Sequence, residues 1–247
     1  MWMLASGNWL FRYRNSLFPI LFVVLALVTH PGQFMNKPQW DRVAMAVGAT
    51  LALAGQAFRL LTIGFAYIKR GGLNGKVYAN DLVVAGLYAH TRNPMYVGNL
   101  LITIGVSIFY GSLWMYMVII PFFIWVYLAI TAAEEHYLLG KFGPTYRDYM
   151  QSVNRFIPDF RGLTTSLAGF RYQWRTVLAK EYNTVYGTFT GLTLIAWWKA
   201  IHVEGRDTAR ENIPLYASLI ACWTLFYVVI RILKKTGRLR EPIPAES

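Results

Sequence analysis

The chain of 247 residues is poor in charged residues, in acids and in cysteine. Only 15% of its residues are charged and 55% are hydrophobic, whereas an average soluble domain has about 25% charged residues. This apolar excess excludes an ordinary water-soluble domain and predicts a chain embedded in lipid. The single cysteine, Cys222, excludes an intramolecular disulfide, and the sequence predicts no metal-ligand cluster.

Acids are half as numerous as bases, 12 against 24, which gives a formal net charge of +12. The basic residues lie between long apolar runs and do not form a continuous patch or a basic helix. We therefore interpret them as residues that orient the chain in a membrane, and we expect no nucleic-acid partner.

Long uncharged runs predict about six membrane spans, because crossing the apolar core of a bilayer takes about 20 residues of helix. Met95–Ala133 has no charged residue over 39 positions. One helix of that length would reach about 58 Å, so we divide the run into a hairpin at Gly111-Ser112. The other predicted spans are Ser16–Pro31, Val43–Ile68, Tyr182–Trp198 and Ile213–Ile230.

The distribution of Lys and Arg between the two sides predicts the orientation of these spans. With six spans, eighteen basic residues lie on the side of the termini and five on the other, and Arg59 lies within a span. Basic residues near span ends stay in the cytoplasm. We therefore expect both termini, the Lys69–Pro94 loop and the Glu134–Lys180 segment to be cytoplasmic, in a bacterial inner membrane or the endoplasmic reticulum.

The predicted fold class is all-α, a multi-pass transmembrane helical bundle with cytoplasmic interfacial helices. We predict an N-terminal segment with the first span at residues 1–42 and a membrane core at 43–158. A C-terminal extension at 159–247 would hold two further spans and an interfacial segment around Phe170, Tyr172 and Trp174. Ala44, Gly48 and Ala52 recur every four positions and predict close approach of a neighbouring helix.

Polar residues collect where the second, third and fourth spans reach the cytoplasm. Because the third and fourth spans form a hairpin, Arg92 and Glu134 would flank the same helix ends. The set comprises Gln56, Arg59, His90, Arg92, Asn93, Tyr96, Glu134, Glu135 and His136.

Several members of this set also have a purely structural interpretation. Asn93-Pro94 is typical of a helix start, and Arg59 can extend its side chain to the interface. Adjacent acids at the end of an apolar run are costly unless Arg92, Arg59 or a cationic ligand pairs with them. A helix beginning at Gly143-Pro144 would present an amphipathic face suited to lying on the bilayer and covering the site, with simple membrane docking as the structural alternative. That face comprises Tyr146, Tyr149, Met150 and Val153.

At these positions the sequence resembles the isoprenylcysteine carboxyl methyltransferase family and its phospholipid-methyltransferase relatives. The resemblance covers about Val43 to Pro158. It rests on Gly86-Leu87-Tyr88-Ala89-His90-Thr91-Arg92-Asn93-Pro94-Met95-Tyr96-Val97-Gly98, Glu134-Glu135, Phe142-Gly143, Tyr146, Tyr149 and Arg155-Phe156-Ile157-Pro158.

The resemblance implies an integral membrane methyltransferase that uses S-adenosylmethionine and acts on a membrane lipid or a lipidated small molecule, isoprenylcysteine-like or phospholipid. Asn93 stands where many members have His, and since Asn does not titrate near neutrality, a general base at that position is excluded. The candidate catalytic residues are Arg92, Tyr96 and the intramembrane Arg59. The candidate cofactor-binding residues are Tyr88, His90, Asn93, Pro94, Tyr96, Glu134 and Glu135.

Methyl transfer from a sulfonium is a single in-line displacement, so we expect the protein chiefly to align donor and acceptor. A carboxylate acceptor needs no base, whereas an amine acceptor requires a proton acceptor such as His90 or His136. Two alternatives share the sequence features. Membrane steroid and sterol reductases, which bind NADPH, have a similar Arg-(His/Asn)-Pro-x-Tyr block, and a former methyltransferase core could serve as a non-catalytic scaffold subunit.

Overall fold

A computed structural model describes residues 2–65 and 82–239, and in these two ranges the protein is a bundle of helices without strands. Short 3-10 turns precede α2 and α3, and π-helical turns lie at Met115–Ile119 and Ala200–Glu204. The α-helices are α1 (Trp2–Val28), α2 (Pro38–Phe65), α3 (Pro94–Tyr110), α4 (Ile120–Phe142), α5 (Pro144–Ser152), α6 (Leu163–Leu167), α7 (Trp174–Lys199), α8 (Arg206–Glu211) and α9 (Ile213–Lys235).

Local residue chemistry sets the ends of α3, α4 and α5. Pro94 occupies the first turn of α3, as the Asn93-Pro94 pair predicts. Gly111 ends α3 with φ of 78°, a left-handed conformation that glycine adopts without a steric cost. Gly143, with φ of 53°, separates α4 from α5. The predicted hairpin and the predicted helix start at Gly143-Pro144 are both confirmed.

Helices α2 and α3 meet backbone to backbone through small residues. A methyl group added to Gly105 would lie 2.5 Å from the backbone nitrogen of Ala52 and 2.5 Å from the carbonyl oxygen of Gly48. The close approach predicted from the small residues of α2 is therefore confirmed, and α3 is the partner helix. The contact continues towards the start of α3, where a methyl group added to Gly98 would lie 2.8 Å from the carbonyl oxygen of Gly55.

Helix α7, from the predicted C-terminal extension, is joined to α2 by two buried ion pairs. Arg59 pairs with Glu181 at 2.7 Å, and Asp41 pairs with Lys199 at 2.7 Å. On each helix the two charged residues are eighteen positions apart, about five turns or 27 Å, which places them on one face. Residues 43–58 and 182–198 between them carry no charge. The two pairs therefore bracket an apolar layer close to the roughly 30 Å thickness of a bilayer core.

Apolar helices long enough to cross a bilayer identify this as a membrane protein. Three such stretches occur in the described ranges, at Pro38–Phe65, Met115–Phe142 and Ile213–Lys235, and Pro94–Tyr110 is apolar but shorter. The all-α membrane bundle is thus confirmed. The count of six spans and the cytoplasmic location of both termini stay predictions. Two stretches lie outside the described residues: 66–81, which includes the end of the predicted second span and Lys69, Arg70 and Lys76, and 240–247.

Candidate active site

Two segments meet to form the candidate site. The motif loop, residues 86–93, leads into α3, and the strap, residues 153–159, follows α5. The Arg92 amide donates to the carbonyl of Asn154 at 2.9 Å, and the Asp159 amide donates to the carbonyl of His90 at 3.0 Å. The Asn93 side-chain amide donates to the carbonyl of Arg155 at 3.1 Å. The strap is therefore fastened along the motif loop by main-chain and side-chain hydrogen bonds.

Glu135 on α4 is buried between two arginines. Its carboxylate lies 3.4 Å from a terminal nitrogen of Arg92 and accepts a 3.2 Å hydrogen bond from Nε of Arg155, which also contacts it through Nη2. The predicted meeting of Arg92 with the glutamate pair thus occurs as a direct ion pair. Arg155, from the strap, supplies a second positive charge to the same carboxylate.

Glu134 has a different partner from its neighbour. It accepts a 2.7 Å hydrogen bond from the Tyr96 hydroxyl, which in turn accepts a 2.8 Å hydrogen bond from Arg14 of α1. Successive helical side chains point about 100° apart, so the two glutamates reach separate partners. Each of the two adjacent carboxylates therefore has a partner within the protein. Tyr96 donates to Glu134, and Arg92 and Arg155 pair with Glu135.

Two buried nitrogen atoms in this region have no hydrogen-bond partner among the described residues. They are Nε2 of His90 and Nε of Arg92. The other ring nitrogen of His90 contacts the carbonyl oxygen of Asp159. Since nearly all buried polar groups in proteins are satisfied, these two atoms are candidate contacts for a bound molecule. The hydrogen bonds from Arg161 lower the pKa of Asp159, at the end of the strap, to about 2.

Helix α5 covers the motif loop. Tyr146 and Tyr149 are buried, and the Tyr149 hydroxyl donates to the carbonyl of Tyr88 at 2.6 Å. These contacts pack α5 against the motif loop, and its position on the bilayer stays a prediction. Pro94, next to the loop, is buried at the first turn of α3.

Residues of α2 face α7 and not the glutamate pair. Arg59 donates through Nε and Nη2 to both carboxylate oxygens of Glu181, at 2.8 and 2.7 Å, and also contacts Asn99 and Thr184. Gln56 accepts a 3.2 Å hydrogen bond from Thr188. The pairing of Arg59 with Glu134 or Glu135 considered from the sequence is therefore absent. His136 is exposed at the surface of α4.

Three charged residues of these networks were not among the site residues predicted from the sequence: Arg14, Arg155 and Glu181. Arg155 lies in the Arg155–Pro158 block that supports the family resemblance, so it had a signal. Arg14 lies 82 positions from its partner Tyr96, and Glu181 lies 122 positions from Arg59. No local sequence pattern connects such distant residues.

Part of the chain is similar to a known protein family. Residues 42–145 match the family model described as phospholipid methyltransferase. The match covers less than half of the chain, so it shows a likeness of this segment, here called the methyltransferase segment, to that family. The match confirms the resemblance seen in the sequence, and the methyltransferase segment contains the motif loop and both glutamates. The strap, α1 and α7 lie outside it.

Two curated relatives extend the comparison beyond the methyltransferase segment. The nickel-cobalt-cadmium resistance protein NccN of Alcaligenes xylosoxydans xylosoxydans is 26% identical over 157 residues, 61% of this chain and 67% of that protein. The cobalt-zinc-cadmium resistance protein CzcN of Cupriavidus metallidurans is 27% identical over 174 residues, 65% of this chain and 72% of that protein. No solved structure gives a significant match.

Proposed function

We propose that this protein transfers a methyl group from S-adenosylmethionine to a membrane lipid or lipid-modified acceptor, from the cytoplasmic side. The observation that carries the proposal is that two buried polar contacts, Arg92 with Glu135 and Tyr96 with Glu134, lie at adjacent positions of α4, inside the segment that matches the phospholipid methyltransferase model. Buried charges at a membrane boundary are costly, and a ligand-binding role accounts for their presence.

The side chains in these contacts fit this cofactor. When bound, S-adenosylmethionine supplies a methyl group on a positively charged sulfonium. Glu134 has a carboxylate suited to an ammonium group or to ribose hydroxyls, and the unpartnered Nε of Arg92 is a donor for a carboxylate. Tyr88, Asn93 and Pro94 would shape the wall beside them.

The protein's own contribution is positioning and the exclusion of water. Tyr96 is held between Arg14 and Glu134, and α5 covers the motif loop, so the polar groups are fixed before any ligand arrives. If the acceptor is an amine, Nε2 of His90 is a buried nitrogen able to take its proton, whereas His136 is exposed. A carboxylate acceptor needs neither.

Arg59, predicted as catalytic, is left out of the proposed pocket. Its donors are committed to Glu181, Asn99 and Thr184, and it contacts neither glutamate of the pair. We propose that it stabilises the contact of α2 with α7.

Calorimetric titration of the purified protein with S-adenosylmethionine tests the proposal. We expect binding by the wild type and at least about tenfold weaker binding by Glu134→Gln and Arg92→Lys, since each loses a charge-assisted or two-pronged contact. Asp148→Asn removes an exposed acid of α5 that contacts neither glutamate, and this variant should bind normally. Unchanged affinity in both site variants would contradict the assignment.

Thermal unfolding of the purified protein distinguishes between the alternative functions. Because a ligand that binds the native state raises its melting temperature, each cofactor is added in turn during thermal unfolding. Stabilisation by S-adenosylmethionine alone supports a methyltransferase, stabilisation by NADPH alone supports a membrane reductase, and stabilisation by neither supports a scaffold subunit.

The names of the two relatives suggest a setting in which to look for the acceptor. Comparing the lipids of cells with and without the gene, grown with and without added cobalt or cadmium, should reveal a species lighter by one or more methyl groups in the deletion strain. An identical lipid profile in all four cultures would argue against a lipid acceptor.

A further inference from the structure

A second polar groove lies between α7 and α9, beyond the methyltransferase segment. Its volume is about 570 Å³, within the range of about 300–1,000 Å³ typical of ligand pockets. None of its residues takes part in the candidate active site. The groove is lined by Tyr182, Asn183, Tyr227, Arg231, Lys234 and Lys235.

Two cations of this groove contact tyrosine side chains. The Lys234 ammonium lies 4.9 Å from the ring centre of Tyr182, and Arg231 donates a 3.2 Å hydrogen bond to the Tyr227 hydroxyl. In residues 2–65 and 82–239 no carboxylate lies within ion-pair distance of Arg231, Lys234 or Lys235. The groove thus presents three positive charges that are uncompensated within the described structure.

The groove also lies at the edge of the apolar layer. Tyr182 follows Glu181 directly, and the Glu181–Arg59 pair marks one end of the uncharged stretch shared by α2 and α7. On α9 the uncharged run ends where Arg231 begins the basic cluster. Large apolar side chains of α9 next to this cluster, among them Val228 and Ile232, are exposed. Positive charges beside an exposed apolar helix match the two ends of a phospholipid.

We propose that this groove binds a phosphate anion, and that the phosphate belongs to the headgroup of an anionic phospholipid. Basic pockets between membrane helices favour anionic headgroups, because each cation near the surface adds attraction and a guanidinium forms paired hydrogen bonds with phosphate. The lipid tails would lie along the apolar side of α9. The site is separate from the proposed methyl-transfer site and does not depend on it.

The test measures lipid binding by the full-length protein. Purified protein in a neutral detergent is titrated with phosphatidylglycerol, with phosphatidylcholine and, separately, with inorganic phosphate, and its melting temperature and bound lipid are recorded. We expect stabilisation by phosphatidylglycerol, with about 30-fold weaker binding by Arg231→Gln/Lys234→Gln, from the loss of two cation contributions. Both residues are exposed, so this variant should fold.

A matched variant controls for the loss of charge. Arg171→Gln/Arg175→Gln removes two exposed cations near the start of α7 but outside the groove, and should bind phosphatidylglycerol like the wild type. If inorganic phosphate stabilises the protein as much as phosphatidylglycerol does, the groove binds an anion but the lipid headgroup is rejected as the source of the phosphate. Equal binding of phosphatidylglycerol and phosphatidylcholine, or an equal loss in the two double variants, would overturn the proposal.

Discussion

Removing one charge from the Arg59–Glu181 pair should destabilise the protein strongly. Glu181→Gln leaves the Arg59 guanidinium in a buried position, where the two side chains are only 10% and 4% exposed, without its counter-charge. Breaking such a pair by removing one partner costs about 3–5 kcal/mol. For a chain of this size that corresponds to a fall in melting temperature of roughly 6–20 °C. Thermal unfolding in detergent, followed by tryptophan fluorescence, measures the shift.

Two comparison variants test whether the loss of stability comes from the unpaired buried charge. Glu211→Gln removes an exposed acid from α8 and should leave the melting temperature within about 1 °C of the wild type. Arg59→Met/Glu181→Leu replaces the whole pair by apolar side chains and should be less destabilised than Glu181→Gln, since no unpaired charge is left buried. If Glu181→Gln has the same melting temperature as the wild type, the ion pair does not stabilise the contact between α7 and α2.

Helix packing, the candidate site and the topology each predict the effect of a further substitution. Gly105→Ala should destabilise by about 1–3 kcal/mol, because its methyl group would overlap the backbone of α2, and thermal unfolding would show this. Tyr96→Phe removes the hydroxyl between Arg14 and Glu134; calorimetry should show weaker S-adenosylmethionine binding, whereas unchanged affinity would remove Tyr96 from the pocket. In a cysteine-free background, single cysteines at Ser166 and Asp207 should be labelled from opposite sides of the membrane, and labelling from one side would reject the six-span topology.

Features governed by neighbouring residues were predictable from the sequence. The start of α3 at Asn93-Pro94, the turn at Gly111 and the start of α5 at Gly143-Pro144 all rest on glycine or proline stereochemistry, which acts within a few residues. The small residues of α2 likewise predicted a close helix contact. The span boundaries were less accurate, since α7 begins at Trp174, eight residues before the predicted span.

The pairing of charged residues was not predictable, because it depends on how distant helices face one another. The span pattern predicted that Arg59 and the glutamate pair lie at the same depth in the membrane. In the fold, however, the Arg59 side chain faces α7 and pairs with Glu181. In the sequence, Arg14 counted only as one of the basic residues that predict the orientation of the spans. Its contact with Tyr96 depends on how α1 packs against the other helices. A membrane level can be inferred from topology, whereas the direction of a side chain requires the fold.

Methyl transfer into the lipid fraction is the most direct test of the central proposal. Membranes containing the wild-type protein, the Glu134→Gln variant or the Asp148→Asn control are incubated with S-adenosylmethionine labelled in its methyl group, and the lipids are extracted and counted. We predict label in extracted lipid with the wild type and Asp148→Asn, and a loss of at least about tenfold with Glu134→Gln. Membranes that lack the protein give the background label. If folded protein is present in all three samples and none exceeds this background, the proposed methyl transfer to lipid is contradicted.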